Sequence, residues 1–75
     1  MPDYHVTPHG DGWAAEKAGA SRASSVHDTQ AEAVKAARGY LETQGGGELN
    51  IHGKDGQIRA KDTIAPGNDP RNIPG

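Results

Sequence analysis

One continuous helical pattern, bounded by its own start and stop signals, limits what this chain can fold into more than any other feature. It runs through DTQAEAVKAARGYLETQ, from Asp28 to Gln44. Thr29 followed by Glu32 is a capping box, in which the Thr29 hydroxyl accepts from the Glu32 N–H and the Glu32 carboxylate reaches back. Ala33, Val34, Ala37, Tyr40 and Leu41 recur at three- and four-residue spacing, so one face is apolar; Glu32, Lys35, Arg38 and Glu42 lie off that stripe. The glycine run Gly45 to Gly47 ends the helix, because glycine takes the left-handed conformation without a Cβ penalty. Gly39, in mid-helix, costs about 1 kcal/mol relative to alanine and reads as a place where another backbone comes close.

After the glycines the period changes from 3.6 to two. Leu49 and Ile51 face one way, and Glu48, Asn50 and His52 the other. Ile58 and Ala60 continue the apolar set beyond a Gly53-Lys54-Asp55-Gly56 turn, with Gln57, Arg59 and Lys61 on the polar side. Upstream, Tyr4 and Val6 alternate with His5 and Thr7. Pro8 suits that strand to a sheet edge, Gly10-Asp11-Gly12 turns it, and Trp13 to Lys17 returns with Trp13 and Ala15 inward. The returning strand is the weakest of the four, since alanine is a poor strand former. His9-Gly10-Asp11-Gly12 resembles the later turn, a likeness that recurrent turn chemistry explains without a duplication.

The expected fold is therefore α+β: a ββαββ unit with one amphipathic helix packed on one face of a small antiparallel sheet, the other face left to water. Residues 1–64 are expected to form a single domain and residues 65–75 a Pro/Gly-rich tail, irregular or disordered, with Ile64 and Ile73 as the large apolar residues that pin parts of this end onto the body. The Ser-rich segment Gly19 to Asp28 reads as a connector, with Val26 tucked under the helix.

Composition sets the margins. The chain has 75 residues and 32% hydrophobic content without phenylalanine, so the core is thin and dimerisation would relieve it. The absence of cysteine excludes disulfides and thiolate chemistry and fits a cytoplasmic setting. MPDYHV lacks a basic region and a hydrophobic segment, and no apolar run is long enough for a membrane span. A net charge of −2 argues against whole-surface attraction to nucleic acid.

YHVTPHGDGW, SRASSVHDTQAEAVKAAR and GGGELNIHGKDGQIRAKDTI, in this order and over nearly the whole chain, resemble the small bacterial proteins of domain of unknown function 2188. The resemblance implies a compact ββαββ unit and no established activity. Ala15 and Asn50 depart from it, standing where larger aliphatic residues are usual.

No chemical signature rises above this fold. Of the histidines His5, His9, His27 and His52, only His5 and His9 stand at H-x-x-x-H spacing, and they do so in a strand pattern with Pro8 between them and not on a helix that would bring both rings to one ion, so neither a metal ligand set nor a cofactor is expected. His5 and His52 share the polar face and meet only if their strands are neighbours; ordinary surface roles are the simpler reading. Ser21, Ser24 and Ser25 lack a nucleophile-elbow motif, and a domain this small seldom encloses a pocket of several hundred Å3. No catalytic residue, and no enzyme, is expected. Gly45-Gly46-Gly47 follows a helix C-terminus, the wrong pole for phosphate.

The leading expectation is a non-enzymatic binding or protein-interaction module whose partner is an unknown protein or a second copy, meeting through a strand edge or an alanine patch. The alternative is nucleic-acid binding through a local basic patch on the open sheet face and second hairpin. Arg59 and Lys61 are then the first candidates for phosphate contact, and Lys54 and Arg22 the second; Glu16, Glu48, Asp55 and Asp62 weigh against it.

Overall fold

The computed structural model describes residues 2–66. The C-terminal part of the expected tail, residues 67–75, with Ile73, lies outside the described residues. The elements are β1 (Asp3–His9), β2 (Gly12–Lys17), β3 (Ser25–His27), α1 (Gln30–Thr43), β4 (Gly47–His52) and β5 (Ile58–Ile64), and the five strands form one sheet in the order β3-β2-β1-β4-β5. The α+β architecture with a helix on one sheet face is the expected one. The sheet differs in being mixed: β1 pairs parallel with β4, whereas the other three pairings are antiparallel.

The helix dictates that parallel pair. Its 14 residues span about 21 Å, close to the length of the strands beneath it, so it carries the chain back across the sheet once. It leaves β3, which runs in the direction of β1, and delivers β4 to the end of the sheet where β1 begins. There the Glu48 N–H donates to the Pro2 carbonyl at 3.1 Å.

Both helix ends follow the sequence signals. The Glu32 N–H donates to Thr29 Oγ1 at 3.1 Å. At the other end the Gly46 N–H donates to the Leu41 carbonyl at 2.6 Å and the Gly45 N–H to that of Glu42 at 3.4 Å, with Gly45 at φ 92, which together make a Schellman stop.

Ala33, Ala37 and Leu41 are fully buried against Tyr4, Val6, Trp13, Ala15 and Leu49, and Val34, Tyr40 and Ile51 pack around them. The Tyr4 and Tyr40 rings stack with centroids 5.4 Å apart, and Gln44 Nε2 donates to the Tyr4 hydroxyl at 2.8 Å. Ile64 closes the core at 4% exposure. The doubtful second strand is secured by position: β2 lies between β1 and β3, with Ala14 and Ala15 both buried.

Four expectations fail. The first strand, expected at an edge because of Pro8, is the central one, between β2 and β4, with Pro8 near its end opposite Trp13. Ile58 is 48% exposed and does not face the helix, because a register shift between Ile51 and His52 sets it opposite His52. Val26 is 54% exposed, since its segment forms an edge strand with Val26 opposite Ala14. Among the described residues no other backbone comes near Gly39, around which a Cβ would meet nothing within 4 Å.

Two glycines thus predict opposite outcomes. Gly39→Ala should stabilise the fold by about 0.5–1 kcal/mol, seen as a raised midpoint in thermal unfolding. Gly46→Ala should destabilise it by more than about 1 kcal/mol, because Gly46 sits at φ +93 and its Cβ would lie 2.5 Å from the Ile64 carbonyl oxygen.

Candidate functional site

The sheet face opposite the helix, which no element of the described residues covers, can be read from the strand registers as a grid. One row runs Val26, Ala14, Thr7, His52, Ile58 across all five strands. The Thr7 to His52 step continues the parallel register beyond Val6 and Ile51. The next row runs Glu16, His5, Asn50, Lys61, and beyond it lie Asp3, Glu48 and Thr63. Val26 and Ile58, the two large exposed aliphatics among the described residues, both belong to the first row and end it on the two edge strands.

At the centre His5 Nδ1 and His52 Nε2 are 2.8 Å apart. His52 Nδ1 lies 2.8 Å from the Gly56 carbonyl, which only accepts, so His52 carries its proton on Nδ1. Its Nε2 then accepts from the Nδ1–H of His5, and His5 Nε2 is left as an acceptor; these tautomers are assigned from the partners. The carbonyl that orients the pair comes from the hairpin turn, where the Gly53 N–H donates to the Gln57 carbonyl and the Gln57 N–H to Asp55 Oδ1. Burial pushes His5 below its ordinary value of 6.5, His52 and Lys61 push the same way, and Asp3 and Glu16 oppose them. Beside the pair, Asn50 is buried at 4% and donates to the Tyr4 carbonyl at 3.3 Å.

The four cations singled out in the sequence do not converge. Lys61 lies in the polar row of the uncovered face, opposite Asn50. Arg59 sits at the register shift and donates to Asp55 Oδ2 at 3.0 Å, an exposed ion pair that neutralises it locally. Lys54, at the hairpin tip, lines a depression of about 380 Å3 with Pro8, Gly10, Asp11, Gly12, Trp13 and Asp28, where two carboxylates share its surroundings. A depression of that size was not expected of so small a domain; three turns meeting at one end of the sheet create it. Arg22 lies in the β2–β3 connection, at the opposite end of the sheet from Lys54.

What sequence reasoning undervalued is the His5–His52 contact and the exposure of Val26 and Ile58. The first depends on β1 and β4 being neighbours, and the second on a third strand and a register shift. Among the described residues there is no cluster of three or more His, Cys, Asp or Glu able to hold a metal ion, and no helix long and apolar enough to cross a membrane.

A family model described as "Uncharacterized protein conserved in bacteria (DUF2188)" matches residues 4–64. The "Uncharacterized protein YdaT" of Bacillus subtilis (strain 168) is 37% identical over 57 residues, which cover 76% of this chain and 37% of that protein. The chain thus spans little more than a third of that relative's length. No solved structure matches it.

The lowered His5 value makes stability pH-dependent with a definite sign. Between the folded value and 6.5 the unfolded chain binds more protons than the folded one, so the contribution is whole above pH 6.5 and is lost as pH falls through the folded value. The thermal midpoint should drop between pH 7.5 and pH 5. His5→Asn, whose amide nitrogen can replace the Nδ1–H donor, should make that drop smaller; an equal drop in both proteins would remove His5 as its source.

Proposed function

The chain belongs to the DUF2188 family, whose description assigns no activity, and we propose for it the role of a non-enzymatic protein-interaction module that binds through the uncovered sheet face. The observation that carries this reading is the placement of Val26 and Ile58. Both large aliphatics exposed among the described residues lie in one row of the face opposite the helix, with the polar row Glu16, His5, Asn50 and Lys61 beside it. Apolar contact next to charges of both signs suits a protein surface better than a phosphate backbone.

Among the described residues the four candidate cations form no concentrated patch, which supports the same choice. Asp55 holds Arg59, Asp11 and Asp28 share the depression with Lys54, Arg22 lies at the other end of the sheet, and Lys61 shares its row with Glu16. Nucleic-acid recognition wants cations aligned on one strip so that several phosphates are neutralised together. The non-enzymatic part of the reading rests on the depression's lining, which pairs exposed turn carboxylates with a lysine and includes no histidine, serine or threonine.

A photo-crosslinking residue placed at Thr7, on the uncovered face, tests the reading in native lysate. It should give protein adducts that survive nuclease, whereas the same residue at Lys35, exposed on the helix, should give none. Adducts that vanish with nuclease, or adducts at Lys35 alone, would transfer the function to nucleic acid or to the helix face. On immobilised DNA or RNA, retention should be weak, and the double variant Arg59→Ala with Lys61→Ala should leave its salt slope unchanged.

A further inference from the structure

At the end of the sheet where both hairpin turns and the entry to α1 meet, the depression of about 380 Å3 gathers charges that the fold itself does not employ. Asp11 and Asp55 sit in similar glycine turns, but only Asp55 is engaged there, accepting from the Gln57 N–H at 3.1 Å and from Arg59 at 3.0 Å. Among the described residues nothing donates to the Asp11 or Asp28 carboxylates, and Lys54 joins neither of the ion pairs, which are Arg38–Asp62 and Arg59–Asp55. Gly12 brings the two acids to one hollow. A Cβ there would run into the His27 carbonyl and stand 3.5 Å from Asp28 Cα, so only glycine lets the first turn close on the segment that enters the helix.

Trp13 walls the same hollow. It is 9% exposed, and among the described residues no group accepts from its indole N–H, yet no polar side-chain atom there is sealed away without a partner. The indole N–H therefore belongs to the small part of the ring that opens on the depression. One donor, one cation and two anions, none of them matched, line a single open volume with one net negative charge. We infer that this depression binds a free basic α-amino acid, arginine or lysine, with its two cationic groups at Asp11 and Asp28 and its carboxylate at Lys54 and the Trp13 N–H.

Charge selects this ligand over simpler ones. A basic amino acid carries two cations and one carboxylate, the inverse of the lining. An anion alone would meet two carboxylates. A divalent metal would meet the Lys54 ammonium, and the described residues hold no group of three His, Cys, Asp or Glu to bind it. The aliphatic stem of the ligand lies against Pro8 and the indole, as long charged side chains do on apolar surface. The volume stands at the small end of the roughly 300–1,000 Å3 typical of small-molecule pockets, so one amino acid enters and a folded partner does not.

Affinity is modest, because charge pairs in an open depression are screened by water and salt; a dissociation constant on the order of 1 mM is expected. Trp13 belongs to the helix-side core, so this site lies apart from the sheet face opposite the helix. Failure of either reading leaves the other standing.

Trp13 is the single tryptophan of the chain, so one indole N–H resonance in a nitrogen-15 NMR titration reports on the site. L-Arginine should move that resonance and the Gly12 amide saturably. Agmatine, which lacks the carboxylate, and Nα-acetylarginine, which lacks the α-ammonium and mimics a chain terminus, should each bind at least about fivefold more weakly, and glutamate should move neither resonance. Asp11→Asn and Asp28→Asn should each weaken arginine about three- to tenfold, and Lys54→Met should erase the preference for arginine over agmatine. The remaining amide resonances of each variant confirm that its fold is intact. No saturable shift with arginine at about twenty times the expected constant overturns the inference. So does an equal response to glutamate, or arginine binding indifferent to Asp28→Asn. Nα-acetylarginine binding as tightly as arginine would also overturn it, assigning the depression to chain termini.

Discussion

The seam between the helix and the sheet is the contact on which everything else here depends. Ala33, Ala37 and Leu41 lie against Val6, Ala15 and Leu49, all of them fully buried. Small side chains on both sides let the elements approach closely, which is how a chain without phenylalanine still excludes water from its centre. One 14-residue helix covers one sheet face and no more. Among the described residues no element covers the opposite face.

The same helix decides which strands become neighbours. By returning the chain to the end where β1 begins, it makes β4 run parallel to β1 and brings His5 and His52, 47 positions apart, into a 2.8 Å contact. The hairpin turn contributes the Gly56 carbonyl that fixes the tautomer of the pair. A crossover connection and a tight turn thus produce one oriented polar centre. Its proton inventory follows from a single backbone acceptor.

The register shift between Ile51 and His52 has a comparable effect on the apolar surface. Without it, Ile58 would continue the inward set begun by Leu49 and Ile51; with it, Ile58 stands opposite His52 at the margin of the bare face. Shifts of this kind on edge strands re-aim side chains at little cost to the ladder. Electrostatics then shapes what such a surface can recognise. Arg59 is held by Asp55, and Arg38 approaches Asp62 at 3.8 Å on the helix side, so both of these cations are paired with acids. Side-chain exposures near one half make both pairs minor for stability, although they determine which charges remain directed outward.

From residues alone the helix, its Thr29 cap, its glycine stop, the two glycine turns and the alternation of the four main strands could be read. These are local matters, decided by backbone freedom, capping and side-chain period within a few positions. The strand order, the parallel pair, the edge strand formed by Ser25 to His27 and the outward turn of Ile58 could not be read. They depend on which distant segments share hydrogen-bond ladders, and that is a property of the packed chain. Sequence therefore determined that one helix would cover one face of a sheet. Only the tertiary structure decided which side chains would meet on the other, because a partner across a ladder is set by register and not by nearness along the chain.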